Sequence, residues 1–431
     1  MGKSNKKALA LGLAVAAVFC LVSSDDVFAA NATRMIGFSS RDAAMAGATT
    51  ASAEDTSCLV RNPAGLVRIG NRVDAEFENI IPHDVTMRTE GRIVNIPGAS
   101  LSNNAGGLGK LQDSTVDYIP GGNIGASYRI PGTDKYPVSL GCGLFTMAGV
   151  ATSYPSSRLN EAIAIPMGTG VYDRMVDLRS IRIAPGAAVA INDNLSFGAT
   201  ANIGIQAINC DLAFGENNSF REQEDSGKWD FAPGGGFTLG LLYKFNEFVS
   251  LGTSYESQTW MGNHNKYKNT LPCIDEPPIV NAGVSLKPVK ELELTFDTRY
   301  INWTSVPIAE KKPIHGGFGW QDQWVFATGA EWSTLKDTLK LRVGYNYGKS
   351  PIQRRFVFAN ALLPLIVENH LTAGFSCVIT KNLSLDFVWE HHFFNAMADN
   401  GEGDIYSQNG VGTKITAAAE IIGAGFSYKF N

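Results

Sequence analysis

The chain has 431 residues, with 36 Lys and Arg against 41 Asp and Glu, a formal net charge of −5. Hydrophobic residues at 44% and aromatics at 10% exclude a disordered polymer, and the absence of a basic block excludes a nucleic-acid surface. Past the N-terminus no run approaches the ~20 apolar residues of a spanning helix, yet Gly is 45 of 431 and charged residues only 18%, a combination that the rest of the chain has to explain.

Residues 1–29 have the pattern of a cleaved secretory signal. Lys3, Lys6 and Lys7 precede an apolar stretch at 8–22, and Val27-Phe28-Ala29 supplies a small-residue cleavage pattern. With Cys20 removed, Cys58, Cys142, Cys210, Cys273 and Cys377 remain, an odd and dispersed set with no CxxC pair and no metal spacing. No metal and no cofactor is implied.

Residues 30–70 carry no strand period. Gly37-Phe38-Ser39-Ser40, the small-residue run 43–48, the acidic pair Glu54-Asp55 and Asn62-Pro63-Ala64-Gly65-Leu66 indicate a compact helical segment closed by a tight turn.

From residue 71 to 431 the dominant period is two. Leu383, Leu385, Phe387 and Trp389 alternate with Ser384, Asp386, Val388 and Glu390, and the same dyad runs through 195–206, 292–297 and 339–348. Fourteen such segments follow, at 71–89, 114–130, 136–152, 178–191, 194–211, 230–245, 247–259, 278–287, 290–305, 322–333, 338–348, 369–380, 382–394 and 413–430. Short and long connections alternate strictly between them, which a sandwich or a propeller gives no reason for. The pattern is that of a 14-stranded antiparallel up-and-down outer-membrane β-barrel, an all-β membrane fold with short periplasmic turns and long outer loops. An apolar outside and a polar lumen also bring the mean hydropathy close to zero. The ending Gly423, Phe426, Tyr428 and Phe430 has the spacing of chains handled by the bacterial barrel-assembly machinery, one residue short of the terminal Asn431.

These residues resemble the FadL/TodX family of outer-membrane channels for hydrophobic compounds. The small-residue run, the acidic pair and Asn62-Pro63-Ala64-Gly65-Leu66 are similar to the family's N-terminal hatch. Gly149-Val150-Ala151-Thr152, Asn302-Trp303-Thr304, Trp320-Gln321-Asp322-Gln323-Trp324 and Arg342-Val343-Gly344-Tyr345 with Ser350-Pro351-Ile352 resemble later family segments, so that the likeness spans the mature chain. The resemblance implies a barrel plugged by residues 30–70 and passive transport of long-chain fatty acids or of aromatic or aliphatic hydrocarbons. Capture occurs among the outer loops, a lumenal site gated by the hatch lies by the mature N-terminus, and exit is sideways at a bend of the third strand. Carried over by position, Asn62, Pro63 and Ala64 shape the hatch turn, Met35, Ile36 and Phe38 contact ligand, and Gly149 sits at the bend. Phe214, Phe220, Trp260, Met261 and Tyr267 form the outer groove. The implied partners are the hydrophobic compound, outer-membrane lipid and lipopolysaccharide, and the assembly machinery, with the barrel acting as a monomer.

One departure bears on substrate. Fatty-acid members place a basic residue on the fifth strand, whereas residues 194–211 contain no Lys, Arg or His and offer Gln206 and Asn209. Arg182, Arg299 and Arg342 are the candidates for meeting a carboxylate, and an uncharged hydrocarbon remains the other reading. Among rival functions, an enzyme has no support, because none of the six His residues stands in a metal or triad pattern. The acidic loop Asp399-Asn400-Gly401-Glu402-Gly403-Asp404 lacks full calcium-loop spacing. A general porin or a surface adhesin barrel is the alternative, and a porin has no use for a plug.

Overall fold

The computed structural model describes residues 31–88, 111–157, 172–211, 228–267, 271 and 273–430. The expected signal lies outside these residues, as do Phe214 and Phe220.

Fourteen antiparallel staves form the wall. They are β1 (Arg72–Arg88), β2 (Ile119–Arg129), β3 (Val138–Ser157), β4 (Tyr172–Ile183, resuming at Gly186–Ala190), β5 (Leu195–Asp211), β6 (Asp230–Lys244) and β7 (Val249–Glu256). The second half comprises β8 (Ile279–Val289), β9 (Leu292–Ile301), β10 (Gln323–Thr334), β11 (Leu339–Gly348), β12 (Asn369–Val378), β13 (Leu383–Ala398) and β14 (Lys414–Lys429). Two short ribbons, Leu111–Asp113 and Trp260–Met261, add to β1 and β6. The ring closes at β1, where Arg72 faces Ser127 of β2 on one side and Lys429 of β14 on the other. Closure pairs the first strand with the last and so leaves no open end to the sheet, the condition for strands to cross a bilayer.

Burial is inverted relative to a water-soluble sheet. Phe77 and Ile203 are 62% and 46% exposed, while the neighbouring Asn202 is 1% and Arg182 0% exposed. An apolar outside with a polar inside is stable only against lipid. Aromatic side chains mark both rims, with Tyr128, Tyr243, Phe245, Tyr428 and Phe430 near the short turns and Trp229, Trp260, Trp324 and Phe394 near the long loops.

Residues 31–71 lie inside the ring and form three short helices, α1 (Ser40–Ala44), α2 (Cys58–Arg61) and α3 (Leu66–Ile69). Ser39 caps α1 by accepting from the Asp42 amide, and the Asp42 carboxylate accepts from the Phe38 amide at 3.0 Å, so S-S-R-D closes reciprocally. Wall charges anchor the segment: Arg41 meets Glu293 and Glu331 at 3.3 and 3.2 Å, and the Thr50 amide donates to Asp297 at 2.9 Å. Arg61 pairs with Asp42 at 2.9 Å. Because these partners are buried together, displacing the plug would leave charges stranded on both sides.

Over the plug lies an apolar roof. It draws Trp303 and Trp320 from one outer loop, Phe358, Leu362, Leu363 and Ile366 from the next, and Val176, Leu178, Ile208 and Met397 from the wall. Two outer-loop helices, α4 (Pro307–Glu310) and α5 (Ile405–Asn409), add Ile308, Ala309 and Tyr406 to it.

Candidate functional site

The third stave is where the wall is interrupted. β2 and β3 pair only from Ile124↔Leu144 to Arg129↔Ser139. Thr146 continues the seam with side chains, its amide donating to Asn123 Oδ1 at 2.9 Å and its hydroxyl to the Gly122 carbonyl at 2.9 Å. A bulge falls between Thr146 and Ala148, and contact with the neighbouring segment resumes where the Thr115 amide donates to the Ser153 carbonyl at 2.9 Å. Between these points β3 has no ladder partner on its β2 side among the described residues. The bulge turns the Met147 carbonyl toward the lumen, where it accepts from the Met35 amide at 3.1 Å, and Arg34 bridges Ala148. A bulge inserts one residue and re-aims the strand, which is what an inward bend of the wall requires. Gly149 lies two residues past it, and a Cβ there would meet Ile119 and Ile80 at 3.4 and 3.5 Å, ordinary contact distances. Gly149 therefore edges the gap, while the register shift itself belongs to Met147.

Two cavities lie on either side of the segment containing Arg34. The first is lumenal, with walls from Val176, Leu178, Ile208, Trp303, Trp320 and Leu363. Trp303 and Trp320 meet edge to face at 5.0 Å, and Trp320 donates its indole N–H to Asn360 Oδ1 at 2.8 Å, so the rings are fixed and their polar edge is occupied. One end of this cavity is polar, with Arg34, Ser180, Gln206, Asp275 and Glu276. The second cavity runs past the interrupted edge of β3 and is lined by Ile80, Ile119, residues 149–152 and residues 364–367. Thr33 and Arg34 border both. A third cavity, on the side of the short turns, is crowded with Arg41, Glu54, Asp74, Lys340, Arg342 and Asp386, surroundings that disfavour an apolar guest.

The residues expected from sequence divide among these places. Met35 and Ile36 border the second cavity, whereas Phe38 borders the third and lies under the guanidinium of Arg61, 5.1 Å from its ring centroid. Asn62, Pro63 and Ala64 make the turn: Asn62 Oδ1 accepts from the Ala64 amide at 3.2 Å, and Nδ2 donates to the Thr50 and Leu241 carbonyls at 2.8 and 3.0 Å. Trp260 is exposed at the outer rim, Met261 is buried beside Gly234, and Tyr267 is buried with its hydroxyl donating to the Lys228 carbonyl at 2.5 Å, so the three do not share a groove face.

The three arginines are each engaged by the chain. Arg182 pairs with Glu256 at 2.7 Å and with Glu276; Arg342 pairs with Glu331 at 2.7 Å; Arg299 donates to Asn281 Oδ1 at 2.8 Å. Arg299 and Arg342 stand at the level of the plug, away from the lumenal cavity. Gln206, on β5, does border that cavity and donates to the Ile274 carbonyl at 3.1 Å.

Sequence reasoning passed over two features. The strap Ala361-Leu362-Leu363-Pro364-Leu365-Ile366-Val367 belongs to an outer loop yet is buried inside the barrel, held by the Thr152 hydroxyl on the Leu362 carbonyl at 2.7 Å and by Asn395 on the Ile366 carbonyl. An uninterrupted apolar run in a connection meant for water was the signal available. Arg34 gave no signal, because a lone cation in a small-residue stretch has no period and its partners lie more than 200 residues away. In the acidic loop at 399–404, Asp399 and Asp404 accept from backbone amides of their own and of neighbouring outer loops. Asp399 accepts from the Phe358 and Gly401 amides at 2.9 Å each, and Asp404 caps α5 and accepts from the Ile314 amide at 2.9 Å.

Comparison with known proteins agrees with this architecture. The chain is similar in structure to the Pseudomonas putida toluene transporter TodX (TM-score 0.66, 16% identity, 92% of this chain and 99% of that one). It is also similar to the Ralstonia pickettii toluene transporter TbuX (TM-score 0.62, 18%, 92% and 99%) and to a Pseudomonas aeruginosa FadL homologue (TM-score 0.65, 14%, 93% and 100%). At such identities the likeness is one of fold. A 47 kDa outer membrane protein of Pasteurella multocida (strain Pm70) is 22% identical over 233 residues, 47% of this chain and 51% of that protein, so the match spans about half of that relative's length. The model of the outer membrane protein transport protein family (OMPP1/FadL/TodX) matches residues 21–430, and the chain, an outer-membrane β-barrel, belongs to that family of transport channels.

Proposed function

We propose that the protein carries small uncharged hydrophobic compounds across the outer membrane without an energy source. The compound is caught at the outer rim by Trp260 and its neighbours, passes to the lumenal cavity under the apolar roof, and leaves through the interrupted edge of β3 into the membrane. Export by residues 1–29, insertion by the barrel-assembly machinery and a monomeric barrel surrounded by lipopolysaccharide complete the reading.

The observation that carries it is the lumenal cavity. Its body is aromatic and aliphatic, and its polar end has no spare positive charge, since Arg34 and Arg182 are matched by Glu256 and Glu276 while Asp275 adds a further negative group. A carboxylate entering there would lose its hydration and find its cations taken. A hydrocarbon loses nothing on leaving water and gains on the order of 25 cal/mol for each Å² it buries. The charged cavity on the short-turn side favours sideways release over a path into the periplasm. TodX and TbuX are described as toluene transporters, in keeping with this class of substrate. A general porin is the poorer reading, because plug and roof both fill the lumen.

The Trp303 and Trp320 rings supply a direct assay. Titrating the purified barrel with ethylbenzene should change tryptophan emission saturably, and octanoate should compete at least roughly tenfold less well. Leu363→Arg should abolish the ethylbenzene response. Tighter binding of octanoate than of ethylbenzene would overturn the uncharged reading.

A further inference from the structure

On the lumenal face of β12 and β13 stand two histidines that the transport reading does not use. His370 and His392 face each other across the ladder, and their rings meet edge to face with centroids 4.4 Å apart. They lie on different strands, so no spacing in the sequence joins them. Each ring has one nitrogen committed: His370 Nδ1 lies 3.3 Å from the Asn346 carbonyl, and His392 Nε2 lies 3.2 Å from Glu390 Oε2. A carbonyl only accepts, and so does an ionised carboxylate, so these two nitrogens carry the protons of the neutral rings. The lone pairs are then on His370 Nε2 and His392 Nδ1. His370 is 0% exposed, and its Nε2 has no hydrogen-bond partner. An imidazole with its far nitrogen donating to a carbonyl or carboxylate and its near nitrogen bare is arranged as a metal ligand, because the outer partner fixes both tautomer and ring orientation.

The surroundings carry negative charge that the chain does not neutralise. Glu78 and Glu390 are each 1% exposed, Glu76 and Glu390 are the charged neighbours of Glu78, and Glu78 Oε1 is buried without a hydrogen-bond partner. Among the described residues the side-chain partners of this group are Ser40 and Asn123 for Glu76 and His392 for Glu390, with no Lys or Arg. A second acidic cluster, Glu54, Glu293 and Glu331, differs in this respect. It is paired with Arg41, Lys340 and Arg342 and has no charge left for an added ion.

We propose that His370 Nε2 and His392 Nδ1 bind a transition-metal ion of the Zn2+ or Cu2+ class, with Asn346 and Glu390 as the outer partners that hold the rings. The inference stands apart from the transport reading and does not need it. Imidazole nitrogen selects such ions over Mg2+ and Ca2+, which prefer oxygen. The second cavity, which His392 borders, gives the ion its way in and the water that completes its coordination. The ion clips β12 to β13 beside residues 364–367 of the strap, which line the same cavity, and its charge answers that of Glu78 and Glu390.

The test uses the full-length barrel produced without an affinity tag, stripped with EDTA and titrated with Zn2+ against a chromophoric chelator. One equivalent should bind saturably, and excess Mg2+ should not compete. His370→Gln and His392→Gln should each weaken binding by roughly a hundredfold, and Glu390→Gln by roughly tenfold through loss of the outer partner. His391→Gln should bind as wild type, since that ring pairs with Glu420 instead. Heat-modifiable mobility verifies a folded barrel. If neither histidine variant folds, anomalous scattering at the zinc edge from crystals of the wild-type barrel decides the matter, and a peak between His370 and His392 upholds the site. The absence of saturable binding overturns it. So does wild-type affinity in a folded His370→Gln or His392→Gln barrel, or a zinc peak elsewhere, either of which would mean an adventitious ion only.

Discussion

A Cβ on Gly240 would lie 2.1 Å from Asn62 Oδ1, and one on Gly198 would lie 2.3 Å from the Pro63 carbonyl carbon. The plug turn therefore presses directly onto the backbone of β5 and β6, and part of the high glycine content is space cut for the plug. Gly240→Ala should destabilise the folded barrel by about 1–3 kcal/mol in urea titration, because neither Asn62 nor the ladder can retreat freely. Asn62→Ala should cost a similar amount, about 1–3 kcal/mol, by leaving the Thr50 and Leu241 carbonyls without a donor. If Gly240→Ala had wild-type stability, the turn would not be seated as described. No disulfide joins the five cysteines among the described residues, and one of them makes a separate prediction. Burial, then the hydrogen bond and charge of Asp275, push the Cys273 thiol up to about 12. At pH 8 it should be alkylated far more slowly than an ordinary thiol of pKa ~8.5, by peptide-level mass spectrometry, and Asp275→Asn should speed the reaction. At this scale the sequence was informative where a residue type has one local use, as in the Asn-Pro-Ala turn. It was silent where the use depends on a distant partner, as for Arg34.

Individual strands were legible because a dyad period is a local property. Each of the fourteen expected segments coincides with a stave. The fourth differs in detail, beginning at Tyr172 and breaking at Pro185, where the ring removes the ladder donor. What the dyads concealed was the interruption of β3. A bulge shifts the register by one residue without changing composition, and the run from Phe145 to Val150 is apolar or small on both faces. The glycine nearest the gap drew attention; the pairing places the shift at Met147. The distinction has consequences for mutagenesis. A Cβ at 149 meets only ordinary contacts, so Gly149→Ala should fold and transport as wild type, while Gly149→Trp should fill the gap between Ile80 and Ile119 and block release with the barrel intact. Ethylbenzene should still quench tryptophan emission in Gly149→Trp, after allowance for the added indole, yet accumulate in cells more slowly. Unimpaired accumulation would remove the gap in β3 from the exit route.

For the molecule as a whole, the plug is only one of two barriers in series. Residues 31–66 carry Arg34, Arg41 and Arg61 against Asp42, Glu54 and Asp55, so the segment is neutral and its removal leaves the net charge of the lumen unchanged. The roof is independent of it, tied to β3 through Leu362, to β13 through Ile366 and to the outer loops through Trp320 and Asn360. A long outer loop reads in sequence as solvent-facing, and the inward fold of its apolar strap became visible only when the wall around it was assembled. Ion flow through barriers in series is set by the tighter one. Deleting residues 31–66 should therefore raise planar-bilayer conductance only slightly, because an apolar constriction excludes ions even where space exists. Replacing residues 361–367 by a Gly-Ser linker should by itself do little, since plug and wall remain locked through Arg41, Thr50 and Asp297. Only the combined variant should conduct as an open pore. A large conductance in the intact protein would favour the porin reading. A large conductance from the plug deletion alone would mean that the roof is permeable to ions and that the plug is the sole seal.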